Sequence, residues 1–439
     1  MKKTCALLLL SCFFAVTAFS ASFLAKVDPE HKDWFLYEGQ ENFANMRTFS
    51  TSFGEFVEFD AYEESVDDLY YHEAMDYTEY VERNDFYFID PIDEDPFESL
   101  DSVYTPEDEL YSRQWALKNT GTNALDVDAE GRAGVDMNAE MAWGITRGDS
   151  RLKIAVIDTG VDYNHPDLVD NMWINEAEFH GEEGVDDDGN GFVDDIHGYD
   201  FVHNDGDPMD DHSHGTHCAG IIAATHDQTG IAGLMGDVQI VAIKFLGRRG
   251  GGSLADAVKS IDYAMKVGVH IMSNSWGGGG FNQALYDAIF AAKEKGILFV
   301  AAAGNSNNNN DKRPSYPATY DIENVISVGA MDSSGKRASF SSYGAKTVDI
   351  FAPGAKILSS VLGGKYKSYS GTSMATPYVS AALGLLLAME MNTFESLMSF
   401  GEIKDRLIET SIMEPNLEGR ARGGRVDTYR LLMDEREGL

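Results

Sequence analysis

The sequence is short of cysteine, of basic residues and of long apolar runs. It has three cysteines in 439 residues, and Cys5 and Cys12 fall within the first 22. Beyond that point only Cys218 remains, which excludes an internal disulfide there, so other forces must hold the fold. Lys and Arg number 34 against 72 Asp and Glu, a formal net charge of −38. Nucleic-acid binding is therefore not expected, because phosphates need basic patches. The apolar run from Ala6 to Ala18 is about 13 residues, too few to cross a bilayer comfortably. No period of roughly 20–50 residues repeats, which argues against a solenoid.

That apolar run follows two lysines and precedes small residues, the layout of a secretory signal peptide over residues 1–22. Cleavage is expected after Ser20 or Ser22. The chain is then expected to be exported with no stable membrane anchor; the medium is favoured over the periplasm, and the signal peptide alone leaves both destinations open. Residues 23–103 form a second block, with 23 Asp and Glu against 4 Lys and Arg. Phe53 to Phe59 alternates like a strand, Ser65 to Met75 suits a Ser-capped helix, and Tyr77 to Ile89 returns to strand-like residues. An acidic, proline-containing linker starts at Asp90.

From residue 104 to 439 apolar runs alternate with helical segments. Strands are expected at 152–157, 239–245, 270–274, 298–303, 325–328 and 347–351, and helices at 254–267, 283–295 and 377–391. Apolar strands alternating with helices imply a parallel sheet covered on both faces.

Three segments carry chemistry. Asp158 ends an apolar strand and meets a Gly turn. His214 lies in His-Ser-His-Gly-Thr-His-Cys-Ala-Gly, residues 212–220. Ser373 lies in Ser-Gly-Thr-Ser-Met-Ala-Thr-Pro, residues 370–377, ahead of an apolar helix. Each alone reads as a turn residue, a structural His or an N-cap. Together they supply what nucleophilic catalysis requires: a hydroxyl, a base for its proton, and a carboxylate to orient that base. His217 and Cys218 read as buried packing. A zinc pair of His214 and His217 lacks a third ligand.

In that order the motifs resemble the subtilisin-like serine proteases, the subtilases. Asp200-Phe-Val202, residues 214–220 and Thr229-Gly-Ile-Ala-Gly233 look like the thermitase-like branch. The resemblance implies a three-layer α/β/α fold with a mostly parallel sheet, preceded by a small α+β ferredoxin-like prodomain. It implies a serine endopeptidase in which Asp158 orients, His214 is general base and acid, Ser373 is the nucleophile and Asn305 is an oxyanion donor. Ser273, Ser275, Trp276 and Gly277 would form the strand bordering the P1 pocket, with Ala301, Ala302, Ala303 and Gly304 as the opposite wall. Such walls suit an apolar P1 side chain, within a broad specificity. Partners would be protein or peptide substrates and the chain's own propeptide, residues 23–103, as inhibitor of a monomer. Release of the propeptide would need cleavage between about residues 95 and 107. A catalytically silent scaffold and a calcium-dependent adhesion protein remain as other readings.

Calcium is the expected cofactor. Asp186, Asp188 and Asn190 fall at alternate positions around a Gly-containing turn, with Phe192, Asp194 and Asp195 completing the candidate set. His197 stands where an EF-hand places its bidentate Glu, so only the loop is implied. A solvated acidic turn is the other reading. By resemblance, a second site would use Asp108, Asp167 and Asp227. A third would use Asp200, Asp205 and Asp207, with His203 in place of a carboxylate.

Overall fold

A computed structural model describes residues 21–39, 43–61, 66–69, 73–84, 86–88, 108–123, 131–393 and 397–433. The expected signal segment up to Ser20, the Ser65 cap, the linker from Asp90 and the expected cleavage window lie outside the described residues. The described chain forms two compact units, dividing near Asn84.

The smaller unit runs β1 (Ala21–Val27), α1 (Lys32–Gly39), β2 (Ala44–Thr51), β3 (Gly54–Ala61), α2 (Val66–Leu69) and β4 (Thr78–Arg83). Its sheet order is β2-β3-β1-β4, and β1 pairs antiparallel with both β3 and β4. This βαββαβ path is ferredoxin-like. Phe23, Phe35, Phe43 and Phe59 fill its core. The expected helix from Ser65 is shortened to α2, followed by a 3₁₀ turn at Glu73–Tyr77. The expected strand from Tyr77 to Ile89 is two strands. Asn84 breaks it, giving its N–H to Ser22 O and its side chain to Glu58.

The larger unit begins with β5 (Phe86–Phe88), α3 (Ala139–Trp143), β6 (Gly148–Asp158), α4 (Glu176–Phe179), β7 (Gly198–Asp200) and α5 (His214–Ala223). It continues through β8 (Asp237–Lys244), β9 (Gly251–Ser253), α6 (Leu254–Val267), β10 (Ile271–Asn274), α7 (Gln283–Glu294) and β11 (Leu298–Ala302). β12 (Val325–Met331), β13 (Ile350–Pro353), the hairpin β14 (Ile357–Val361) and β15 (Lys365–Tyr369), α8 (Thr372–Thr393), α9 (Phe400–Glu409) and α10 (Thr428–Leu432) complete it.

Seven strands form a parallel sheet in the order β13-β12-β11-β10-β6-β8-β7. Ile154 and Val156, Ile240 and Ala242, and Ile326 and Val328 point to one face and share a core with Ile221 and Ile222 of α5 and Leu383 and Leu386 of α8. This is the period-2 alternation of a sheet buried on both sides. α6 and α7 pack on each other and on β8 and β11. Helix α8 is long and apolar enough to cross a membrane by length and composition, but it is almost wholly buried as the core helix. Strand order reverses at β6, with β8 on one side and β10 on the other. The carboxyl ends at such a switch point form the crevice where open α/β sheets bind ligands.

Two expected boundaries shift. The strand expected from Thr347 begins at Ile350, because the N–H and hydroxyl of Thr347 are held by Asp311 in a loop. The last helix starts at Thr372 rather than Pro377, so a proline lies inside it.

Candidate active site

The three chemical residues sit where elements end or begin at the sheet's carboxyl edge. Asp158 is the last residue of β6, His214 the first of α5 and Ser373 the second of α8. Gly160, at φ 99°, makes the turn after Asp158, where a Cβ would lie 2.4 Å from Pro208 O. All three side chains are buried. His214 Nδ1 lies 2.7 Å from Asp158 Oδ1, which also accepts the Thr159 N–H at 2.7 Å. A carboxylate accepts, so Nδ1 carries the proton and Nε2 is left as the base. Nε2 is buried and has no hydrogen-bond partner among the described residues. The Ser373 hydroxyl donates to Ser275 O at 3.1 Å.

Two charged side chains hold this geometry. The buried Asp210 carboxylate accepts from the Thr159 hydroxyl, from the N–H groups of His212, Ser213 and Thr216, and from the Thr216 hydroxyl, at 2.6–3.0 Å. These bonds keep Ser213 left-handed, at φ 88°, just before His214. A non-Gly residue there is held by its surroundings. Lys244, fully buried, donates to Thr159 O at 2.6 Å, Asp211 Oδ1 at 2.7 Å and Leu246 O at 3.2 Å. An ammonium has three protons, and here each has an acceptor.

His217 and Cys218 are buried in α5. His217 Nε2 lies 3.0 Å from both Ile357 O and Lys367 O, so that nitrogen carries a proton. The ring stacks on Tyr369. Burial, then the neighbouring His214, pushes its pKa down to about 3.

Asn305 follows β11. Its Oδ1 accepts the Thr372 N–H at 2.8 Å and the Thr372 hydroxyl at 2.9 Å, which turns Nδ2 the other way. A Cβ on Gly371 would stand 3.2 Å from Asn305 Nδ2 and 3.5 Å from Ser373 N. Both donors thus border one small space that glycine leaves open. That is the geometry of an oxyanion pocket.

Beside Ser373 lies a cavity of about 110 Å³. Ser275, Trp276 and Gly277 line one wall and Ala302 and Gly304 the other. Ser273, Ala301 and Ala303 do not line it. They are buried, and the Ser273 hydroxyl oxygen accepts from Ser380. Side chains alternate along a strand, so a contiguous stretch cannot all face one pocket. The Trp276 ring packs edge-to-face on Phe245, a core contact. Ser306, Asn308, Ser315 and Ser342 add polar lining. Loops bring them in, and no spacing in the sequence marks Ser315 or Ser342. β9 pairs antiparallel with β5, Phe86 opposite Ser253 and Phe88 opposite Gly251.

The acidic loop closes on itself. Asp186 accepts from the N–H groups of Gly189, Asn190 and Gly191. Asp188 and Asp195 both accept from the amides of Asn175 and Asn190, and Asn190 Oδ1 accepts the Phe192 N–H at 2.7 Å. Glu178, which sequence spacing does not suggest, is buried and brings an oxygen within 4.8 Å of oxygens of Asp186 and Asp188. Asp194, with φ 54°, turns its carboxylate away to the Gly184 N–H. His197 turns to Trp173 O. Asp108, Asp167 and Asp227 converge on the backbone N–H groups of Gln228, Ile231 and Thr229 respectively. Asp167 Oδ1 is buried with no hydrogen-bond partner among the described residues. Asp200 is paired with His203 at 2.7 Å, and Asp207 accepts the Tyr163 hydroxyl. Asp200, Asp205 and Asp207 do not gather three carboxylates within 4.8 Å among the described residues.

Two outcomes are expected. His217 titrates near 6.5 when unfolded and near 3 when folded, so between those values the unfolded chain binds the extra proton. Its share of stability is present above pH 6.5 and falls by about 1.4 kcal/mol per pH unit as pH drops toward 3. Urea melts from pH 7 to 4, repeated on His217→Asn, measure the slope that the variant lacks. Asn305→Ala is expected to lower kcat by about 10²–10³, the figure known for an oxyanion donor of a subtilisin, with KM little changed. Steady-state kinetics on a chromogenic peptide check it.

Residues 149–430 match the Subtilase family, Peptidase_S8. A thermophilic serine proteinase of Bacillus sp. (strain AK1) is 39% identical over 313 residues, 71% of this chain and 67% of that protein. Thermitase of Thermoactinomyces vulgaris is 41% identical over 251 residues, 57% of this chain and 79% of thermitase. An intracellular serine protease of Paenibacillus polymyxa is 37% identical over 292 residues, 65% and 82% of the two chains. With the Asp158–His214 bond in place and Ser373 and Asn305 around one crevice, the chain belongs to the subtilase family, on its thermitase-like side, and is a serine endopeptidase.

Proposed function

We propose that this endopeptidase is made as an exported, calcium-stabilised zymogen that processes itself, and that it cuts proteins broadly with an apolar P1 preference. The bond between Asp158 and His214 carries the catalytic part. His214 Nε2 takes the Ser373 proton as Oγ attacks the scissile carbonyl, and Asp158 stabilises the imidazolium. The oxyanion forms against Asn305 Nδ2 and the Ser373 N–H. The proton then passes from Nε2 to the leaving amine, and water repeats the sequence on the acyl-enzyme.

Pairing of β5 with β9 supports the propeptide reading. Residues 86–88 of the block that precedes the enzyme pair antiparallel with β9, the manner in which an extended peptide adds to a strand edge. The layout of residues 1–22 supports export. Small side chains at Gly277, Ala302 and Gly304 support the P1 preference.

The donor sets fit calcium, a hard cation that takes carboxylate and carbonyl oxygens. Glu178, Asp186 and Asp188 already converge, and Asp167 keeps one buried oxygen without a partner. Calcium bound there would stabilise the native state, in a chain with no disulfide beyond residue 22.

The full precursor and its Ser373→Ala variant, purified with calcium, test this by intact mass. Loss of about 100 residues from the wild type alone is expected. Cutting of both forms at one place would refute self-processing. A thermal melt with and without chelator tests calcium: a lower Tm with chelator is expected, and an unchanged Tm would sink it.

A further inference from the structure

Helix α8 carries Pro377 four residues after Ser373. Proline has no N–H, so the Ser373 carbonyl cannot receive the usual bond from the fourth residue along. That carbonyl lies in the buried site, where a polar group needs a partner. The Ser275 hydroxyl donates to it at 2.8 Å, and the Cys218 thiol approaches it at 3.5 Å. The Ser373 hydroxyl in turn donates to Ser275 O at 3.1 Å. Two bonds therefore join the same pair of residues in opposite directions. Ser275, Ser373 and Cys218 are all buried.

We propose that Ser275 is a positioning residue: its hydroxyl supplies the hydrogen bond that Pro377 withholds and fixes the first turn of α8. The inference rests on the endopeptidase reading and assigns Ser275 a role apart from lining the substrate pocket. That turn holds two groups of the reaction, Ser373 Oγ as nucleophile and Ser373 N–H as oxyanion donor. Pro377 withholds an ordinary helix bond, and a side chain of the neighbouring strand end replaces it. The nucleophile is thereby tied to the end of β10, which borders the same cavity. Cys218 is the weaker second donor, because a thiol bonds weakly and over a longer distance.

The test is a rescue. Ser275→Ala removes the hydroxyl and keeps the backbone carbonyl. Its kcat is expected to fall about 5- to 10-fold, the worth of one ordinary hydrogen bond, with KM nearly unchanged. Ser275→Cys, with a weaker donor, is expected to fall between the two. Pro377→Ala restores a backbone N–H opposite the Ser373 carbonyl. The loss in Ser275→Ala/Pro377→Ala, measured against Pro377→Ala alone, is therefore expected to shrink toward none. Fluorophosphonate titration counts the folded active sites, so kcat is taken per competent enzyme. If Ser275→Ala does not accumulate, Ser275→Cys with and without Pro377→Ala gives the same comparison. An unchanged kcat, a rise in KM alone, or a loss of equal size in both backgrounds would each overturn the proposal. A wild type that neither takes up fluorophosphonate nor hydrolyses casein would instead overturn the reading it rests on.

Discussion

The 2.7 Å bond between His214 Nδ1 and Asp158 Oδ1 is the constraint around which the site is arranged. It sets the tautomer, so that Nε2 is left without the proton and free to accept one. For it to form, the end of β6 and the start of α5 must meet. Asp210 and Lys244 bring them together. Asp210 binds both the turn after Asp158 and the loop before His214, and Lys244 ties that turn to Asp211 and Leu246. Each is a buried charge whose hydrogen-bonding positions are largely filled. Losing one partner would leave an uncompensated charge, so the loop is held in one conformation.

The same economy appears on the other side of the crevice. Asn305 is oriented by Thr372, and Ser373 follows directly, so one helix start fixes both the Asn305 amide and the Ser373 N–H. Gly371 leaves the space between them. Around the triad, polar groups serve geometry more than stability. Stability rests on the apolar faces of the seven-stranded sheet and the buried length of α8.

Much of this was legible in the residues. The alternation of apolar strands and helices pointed to a parallel sheet covered on both faces, and the sheet is entirely parallel. The three motifs singled out Asp158, His214 and Ser373, because nucleophilic catalysis needs those three residue types together, and the fold joins the first two directly. The alternate Asp and Asn positions of the 186–190 loop also describe a loop whose side chains turn inward. Other readings failed for stated causes. Ala301 and Ala303 were expected in the pocket wall with Ala302, but the pleat turns them into the core. Asp194 was expected in the acidic cluster, and a left-handed backbone swings it to Gly184.

The sequence by itself determined the chemistry available and the local structure. Side-chain period, turn glycines and motif residue types are all encoded within a few positions of one another. Only the tertiary structure decided which groups meet. Glu178 joins Asp186 and Asp188, Ser315 and Ser342 reach the cavity, and Ser275 finds the carbonyl that Pro377 leaves unserved. Such partners lie in different elements, up to about a hundred residues apart. Their meeting depends on strand order and helix packing, and no short-range pattern in the chain records it.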